Sequence, residues 1–442
     1  MARAADTSLA RAAARDVVTR LRDAGHTAFF AGGCVRDELL ALDPTDYDVA
    51  TDAPPDRVAS LFPRTMLVGA AFGVVLVQLP GATIEVATFR SDGPYSDARR
   101  PDRIRYSDPQ ADAQRRDFTI NALFLDPLAD PDPAHPDIRG RVIDYVGGLD
   151  DLERRVVRAV GDPDQRLAED HLRALRAVRF TARLSFTLDA GTASAISRHA
   201  AELRGVSRER IGEEVRRMLV HPTRAAAAHL LQSLALDAPV LDAPHLECPL
   251  PTLAYVGADD PTPPPRYATY LAAWALDRAD AGPGAPPDAL VASPLPRSRK
   301  ARSRAEGVGA SWRSALRLSN EDRDEFAAVL AGFQRLRTEW AALGVAPRKR
   351  IAANGWCAQA LMLLKVREPS LCERIKGEIE ELRRTFGGIA PEPYITGDDL
   401  AAMGVSPGPL FKRVLDAVYD AQLEGRIRSG EQARELATTL CV

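Results

Sequence analysis

The stretch GGCVRDELLALDPTDYDVAT, residues 32 to 51, constrains this chain more than any other. Two glycines close the apolar run HTAFFA, a helix-sized segment follows, and then come two carboxylates one residue apart, Asp46 and Asp48. In an extended strand, aspartates at i and i+2 point the same way while Tyr47 and Val49 point oppositely. Like charges side by side repel, and they are tolerated where a cation lies between them. Two hard oxygen donors at this spacing suit Mg²⁺, which takes one or two protein carboxylates and leaves the rest of its shell to phosphates and water. Upstream, the pattern predicts a short strand ending at Gly32-Gly33 and a helix opening in VRDELLAL. Paired glycines before a helix N-terminus let backbone N–H groups approach a triphosphate, with Arg36 as the neighbouring cation. Either half alone is commonplace, a turn or a solvated strand end; their order carries the reading.

Further along, GVVLVQL (73–79) and TIEVATFR (83–90) read as two strands joined by Pro80-Gly81, a hairpin signal. Glu85 is the only acid in this apolar pair and is the candidate third carboxylate. Residues 91–114 are polar, with Gly and Pro and no sustained periodicity, and are expected to form a mobile loop. In RRDFTINAL (115–123), Arg115, Arg116 and Asp117 are expected to open a helix, with Asn121 one turn on and suited to a ribose hydroxyl. The alternative is a plain surface ion couple of Arg116 with Asp117. DPLADPDPAHPDIRGR (126–141) is a Pro- and Asp-rich surface excursion.

From about 149 onward, helices dominate. LAEDHLRALRAVRFTARLSF (167–186) reads as one helix, with Asp170, Arg173 and Arg176 as a polar stripe and Leu172, Leu175 and Val178 as the buried one. Asp170 and Arg173 are then neighbours, and by spacing alone they are an ordinary i,i+3 surface pair. SRERIGEEVRRMLVHPTRAAAAHLLQSLAL (207–236) is a helix pair broken at Pro222 with Ser207 as N-cap. Residues 242–308 are Pro/Gly-rich around one helix, YATYLAAWAL (267–276), and carry the basic run Arg297 to Arg304. In the last stretch Thr396 caps a helix stopped by Gly404, Pro409 starts a longer one, and Ser429 with Gln432 caps the last.

A chain of 442 residues that is 45% hydrophobic buries a core easily and should divide into two to four domains. Its formal charge of −3 is not that of a polycation, yet its arginines cluster, and local patches of that kind suit phosphate. Five scattered cysteines have no zinc spacing and indicate a reduced, cytoplasmic setting. No apolar run approaches a membrane span. The seven histidines are dispersed, with no His-Asp doublet, which disfavours metal-dependent hydrolysis.

The order of GGCVRD, DYDVAT, RRDFTINAL and EDHLRALRAVRF resembles the polymerase-β-like nucleotidyltransferases, and within them the class II tRNA nucleotidyltransferase and bacterial poly(A) polymerase branch. The resemblance implies an α+β fold: a nucleotidyltransferase head with a small mixed sheet (1–148), then an all-α neck with the nucleotide-selecting helix (149–225), body (226–345) and tail (346–442). It also implies an enzyme that adds C and A to tRNA 3′ ends from CTP and ATP with Mg²⁺. Asp46 and Asp48 would hold the metal, Glu85 would assist, and Gly32, Gly33, Arg36, Arg116, Asp117, Asn121, Asp170, Arg173 and Arg176 would bind the nucleotide. An A-adding enzyme or a poly(A) polymerase on the same scaffold is the alternative, and a non-catalytic RNA-binding protein the remote one. VGAAFGVVLVQL (68–79) lacks the basic stretch and His-Val of the poly(A) enzymes, which favours tRNA. Two departures stand out: the Pro/Gly-rich 242–308 segment, and Phe411-Lys412-Arg413 where the tail pattern has Gly-Glu.

Base choice also has a chemical logic. Cytosine and adenine share an exocyclic amino donor beside a ring-nitrogen acceptor, whereas uracil and guanine present a carbonyl and a ring N–H there. A carboxylate and a guanidinium, the chemistries of Asp170 and Arg173, would accept the first pair and reject the second.

Overall fold

The computed structural model describes residues 2–68, 73–93, 104–259, 261–281, 308–405 and 408–441. The YSDARRP stretch (95–101) and the basic run Arg297 to Arg304 lie outside them. The chain forms two compact units, Met1–His245 and Leu246–Val442.

The first unit opens with α1 (Ala2–Asp23), whose Val17 and Leu21 are fully buried while Leu9 stays half exposed. Next come β1 (Ala28–Ala31), α2 (Gly33–Leu39), β2 (Asp48–Thr51), α3 (Pro55–Leu61), β3 (Thr65–Leu67), β4 (Val74–Leu79) and β5 (Ala82–Thr88). Gly81, at φ 79°, makes the tight turn of the predicted β4–β5 hairpin. Residues 91–114 are not one loop: β6 (Arg90–Asp92) pairs with β7 (Ile104–Tyr106), and α4 (Pro109–Gln114) follows, capped by Asp108. The β-structure of the head ends with β8 (Phe124–Asp126) and β9 (Arg141–Ile143).

Seven strands form one sheet in the order β3-β4-β5-β2-β1-β8-β9. Only β2 and β5 run parallel within it; the remaining pairs are antiparallel, so the sheet is mixed, as expected. β1 is buried along its whole length, as a central strand covered on both faces must be. One face carries Phe29, Phe89 and Phe124, with ring centroids 5.8–6.2 Å apart. On the other, the Arg11 guanidinium of α1 lies 5.5 Å from the Phe30 ring centroid.

Helices then take over: α5 (Gly148–Glu153), β10 (Val156–Val157), α6 (Pro163–Glu169), α7 (Arg173–Leu184), β11 (Thr187–Leu188), α8 (Ala190–Arg198), α9 (Arg208–Leu219), α10 (Arg224–Ser233) and α11 (Asp237–Leu241). β10 and β11 form a short parallel pair. The segment 167–186 is therefore not one helix. Asp170 is extended (φ −154°, ψ 103°), and its carboxylate accepts from the Leu172 N–H at 3.1 Å, a local bond that competes with helix continuation. Leu172, Leu175 and Val178 are buried, as their spacing predicts. Ser207 stands at the N-cap of α9, but its side chain makes no capping bond.

The second unit is all helical among the described residues: α12 (Pro251–Tyr255), α13 (Tyr267–Ala281), α14 (Val308–Ala315), α15 (Asn320–Thr338), α16 (Val345–Ala352), α17 (Cys357–Arg367), α18 (Pro369–Arg384), α19 (Gly397–Ala402), α20 (Pro409–Leu423) and α21 (Gly430–Cys441). α13 buries Trp274 against Trp312 of α14, centroids 5.2 Å apart, and Trp312 stacks on Phe326 of α15. Thr396 and Asp399 form a full capping box on α19. Ser429 Oγ caps α21, although Gln432 accepts from the N–H of Arg428. α19, α20 and α21 share a core of their own, with Ile395, Leu400, Val414, Val418 and Ala433. No described helix is long and apolar enough to cross a membrane. All five cysteines are free thiols.

Candidate active site

The carboxylate pair sits where β2 begins. Tyr47 is buried, its hydroxyl donating to Glu38 Oε1 at 2.7 Å, while Asp46 is exposed and Asp48 half-buried, as alternation requires. The parallel register sets Glu85 directly opposite Asp48, on the same sheet face. Ile84, Val86 and Thr88 of β5 turn inward, so Glu85 is held outward by the burial of its neighbours.

Three carboxylates facing one region cost energy. Burial, then Glu85, then Asp46 push the Asp48 carboxyl up to about 7, against the opposing charge of Arg116. Glu85 is raised as well, by burial and then by Asp46. A hard divalent cation is the ligand that relieves this repulsion, so the donor chemistry fits Mg²⁺. Among the described residues no three ligating side chains converge tightly enough to enclose an ion.

Gly32 lies at φ 76°, and a Cβ there would meet Arg116 Nη1 at 3.0 Å. The glycine therefore lets this guanidinium close on the turn before α2, and its own N–H donates to the Leu123 carbonyl at 3.0 Å. Gly33 is the first residue of α2. Arg116 does not pair with Asp117, nor do Arg115–Asp117 open a helix; they follow α4, and a short 3₁₀ turn occupies Thr119–Asn121. Asp112 of α4 instead binds both Arg115 (2.7 Å) and Arg116 (2.9 Å). Burial opposes ionisation of Asp112, but the two guanidinium groups outweigh it and hold the carboxyl below its usual value.

Asp117 belongs to a largely buried relay that ties α2 to α7. Its Oδ2 accepts from Arg176 Nη2 (2.6 Å) and its Oδ1 from Asn121 Nδ2 (3.2 Å). The Asn121 Oδ1 accepts from Arg36 Nη1 (2.5 Å), and Arg36 also grips Asp37 at 2.6 Å and lies over the Phe180 ring of α7. Burial works against the Asp117 charge, yet Arg176, Arg173 and Asn121 hold its carboxyl below the ordinary range. The structure thus buries Arg36 inside this relay, 3% exposed.

Asp170 and Arg173 meet through backbone alone, the Arg173 N–H donating to the Asp170 carbonyl at 3.0 Å. Their side chains have other partners. Arg210 of α9 donates to both Asp170 oxygens, at 3.1 and 2.6 Å. Arg173 donates to Glu169 (2.6 Å) and to the carbonyls of Arg166 (2.9 Å) and Arg115 (3.3 Å), the last a strut onto the head. Sequence reasoning missed Asp112, Glu169 and Arg210. The first two stand at i,i+3 or i,i+4 spacing from their arginines and were detectable; Arg210 lies forty positions from Asp170 and gave no local signal.

Comparison with known proteins identifies the family. The family model described as "Poly A polymerase head domain" matches residues 28–158, and that described as "Probable RNA and SrmB- binding site of polymerase A" matches 185–248. The CCA-adding enzyme of Geobacillus thermodenitrificans (strain NG80-2) is 31% identical over 436 residues, spanning 94% of this chain and 93% of that protein. The CCA-adding enzyme of Bacillus subtilis (strain 168) is 42% identical over 219 residues, 49% of this chain and 52% of that one. The structure is similar to that of the Bacillus stearothermophilus CCA-adding enzyme in complex with CTP, with a TM-score of 0.68 and 27% identity over 96% of each chain. The fold is shared with the Thermotoga maritima CCA-adding enzyme complexed with tRNA, at a TM-score of 0.62 over 96% of this chain and 94% of that one, with 17% identity. The chain belongs to the family of CCA-adding enzymes, template-free nucleotidyltransferases built on a polymerase-type head.

Proposed function

We propose that this enzyme completes tRNA by adding C, C and A to its 3′ end from CTP and ATP, in the cytoplasm. The observation that carries the reading is the cluster of Asp46, Asp48 and Glu85 at the central β2–β5 pair, whose parallel register sets Glu85 opposite Asp48. The 3′-hydroxyl oxygen of the RNA attacks the α-phosphorus of the nucleotide as its proton passes to solvent, the bond from the α-phosphorus to the bridging oxygen breaks, and pyrophosphate leaves with the electron pair. Mg²⁺ held by Asp46 and Asp48, with Glu85 beside them, would favour the attacking alkoxide and neutralise charge on the phosphates. Arg116, pinned by Asp112 beside Gly32, adds a fixed positive charge that needs no rearrangement as negative charge develops. Gly32 and Gly33 are the turn against which the triphosphate is expected to lie.

The relay Arg176–Asp117–Asn121–Arg36 sets the neck helix against the head, and so fixes the distance from the carboxylates to the base-reading residues. Asp170 would accept from the amino group of C or A while Arg173 donates to the adjacent ring nitrogen. Arg210 and Glu169 hold the two side chains in place meanwhile. We retain the division into head (1–148), neck (149–225), body (226–345) and tail (346–442) as part of this reading.

Incubating the purified protein with a tRNA transcript lacking CCA, with each nucleotide alone and in mixture, tests the proposal on a sequencing gel. Three added residues ending in A, seen only when CTP and ATP are both present, are expected. A single A, or a long A tract, would move the chain to the A-adding or poly(A) alternatives.

A further inference from the structure

Away from the carboxylates, α7, α9 and α10 surround a cavity of about 190 Å³ at whose wall Arg179, Arg183, Arg217 and His221 meet. The four are not equivalent. Arg179 is buried and tied to the buried Glu214 at 2.6 Å. Arg217 is half exposed and shared between Glu213 (3.1 Å) and Glu214 (3.9 Å). Arg183, in the last turn of α7, is exposed and makes no hydrogen bond or ion pair with a described residue. Arg224, buried at the start of α10, adds a further positive charge. Three guanidinium groups line the cavity and no carboxylate does, Glu214 and Glu213 reaching Arg179 and Arg217 from outside its wall, so the wall is positive.

His221 adds a neutral donor. Thr223 engages Nδ1 twice, its backbone N–H donating at 3.3 Å and its hydroxyl lying 2.7 Å away; with Nδ1 the acceptor, the proton is on Nε2, which has no partner among the described residues. Burial, then Arg183 and Arg224, keep this imidazole uncharged by lowering its pKa. Of the remaining wall residues, Ala182, Met218, Val220 and Ala227 have apolar side chains, and the Thr223 hydroxyl is turned to His221 Nδ1 at 2.7 Å. A cavity with guanidinium and imidazole donors and no free side-chain carboxylate at its wall matches a tetrahedral oxyanion, not a base edge or a cation. Because Arg183 and Arg217 stand exposed, the ligand can continue outward past them, as a phosphate within a chain does.

We propose that this pocket is a subsite for one phosphodiester of an RNA strand, held by Arg183 and Arg217 with the His221 Nε2–H. The inference rests on the reading of the chain as an RNA-acting enzyme, and it names a contact that the nucleotide-adding machinery does not use. Two exposed variants of the full chain probe it from opposite sides: Arg183→Gln removes the unpaired cation, and Glu213→Gln releases Arg217.

Binding of tRNA lacking CCA is measured by fluorescence anisotropy over a KCl series. Arg183→Gln should lower the slope of log K against log[KCl] by about 0.7–0.9, the loss of one phosphate contact. Glu213→Gln should bind more tightly than wild type throughout. Both should keep the wild-type melting temperature and the wild-type single-turnover rate at saturating RNA. An unchanged slope in folded Arg183→Gln overturns the proposal. So does stabilisation of wild type, but not of Arg183→Gln, by inorganic phosphate with no change in the RNA slope, which would make the pocket a small-anion site. If wild type added no nucleotide while the Arg183-dependent slope persisted, the catalytic reading would fall and the subsite would stand.

Discussion

Arg210 closes on both carboxylate oxygens of Asp170, at 3.1 and 2.6 Å, from the first turn of a helix forty positions further along the chain. The side chain proposed to choose the base is thereby oriented before any nucleotide arrives. Arg210→Ala should reproduce the failure of Asp170→Ala: slower incorporation of CTP and ATP and a gain of UTP and GTP misincorporation of roughly ten- to hundred-fold, corresponding to ~1–3 kcal/mol. The double variant should cost less than the two singles combined, since one reader is broken twice. Nearest-nucleotide misincorporation assays decide the matter; native preference in both single variants would reduce the pair to a brace between helices.

Asp46→Ala and Asp48→Ala should each abolish C and A addition in Mg²⁺ and leave tRNA affinity within a few-fold. Substantial incorporation by either one would remove the metal assignment. Glu85→Gln should be milder than both, because its carboxylate stands opposite Asp48 without completing a cage.

Asp112 gives a pH-dependent signature. Its carboxyl is held below the ordinary value in the fold, so its stabilising effect is complete above the unfolded value near 4 and is lost as pH falls through the folded one. Asp112→Asn should lower the melting temperature at pH 7 by about 5–10 °C, given ~1.5–3 kcal/mol for a charged hydrogen bond. The gap to wild type should narrow as the pH drops below about 4. A gap that stays constant through the acid range would mean that packing alone is at stake.

Within the proposed tail, α19, α20 and α21 share a core, and Gln422 anchors α20 by donating to the Glu392 carbonyl and accepting from the Tyr394 N–H. Truncation after Ala390 should weaken binding of whole tRNA more than of a minihelix carrying the acceptor end alone. Equal losses on both RNAs in an electrophoretic shift assay would show that the tail merely supports the helices before it.

Much of this was legible in the sequence because its causes are local. The hairpin turn at Pro80-Gly81, the i,i+2 carboxylates and the Thr396 cap are each specified within a few residues. Two departures have local causes too. Asp170 falls within the periodic helical stretch, but its carboxylate takes the Leu172 N–H and interrupts the run, so that α7 begins only at Arg173. The RRD tripeptide reads forward into a helix, whereas its anchor, Asp112, lies behind it. What no local rule could supply are the long-range partners: Arg210 for Asp170, and Asn121 for a buried Arg36.

The parallel pairing of β2 with β5 also limits how this chain can change length. Glu85 faces Asp48 only because their strands are in one phase of a two-residue repeat. Inserting a single residue within β5 ahead of Glu85 would swing that acid to the buried side and present a neighbouring apolar side chain to Asp46 and Asp48. Every acidic residue would still be present, and a motif search would find nothing missing. Insertions and deletions compatible with activity are therefore confined to the connections outside the two strands.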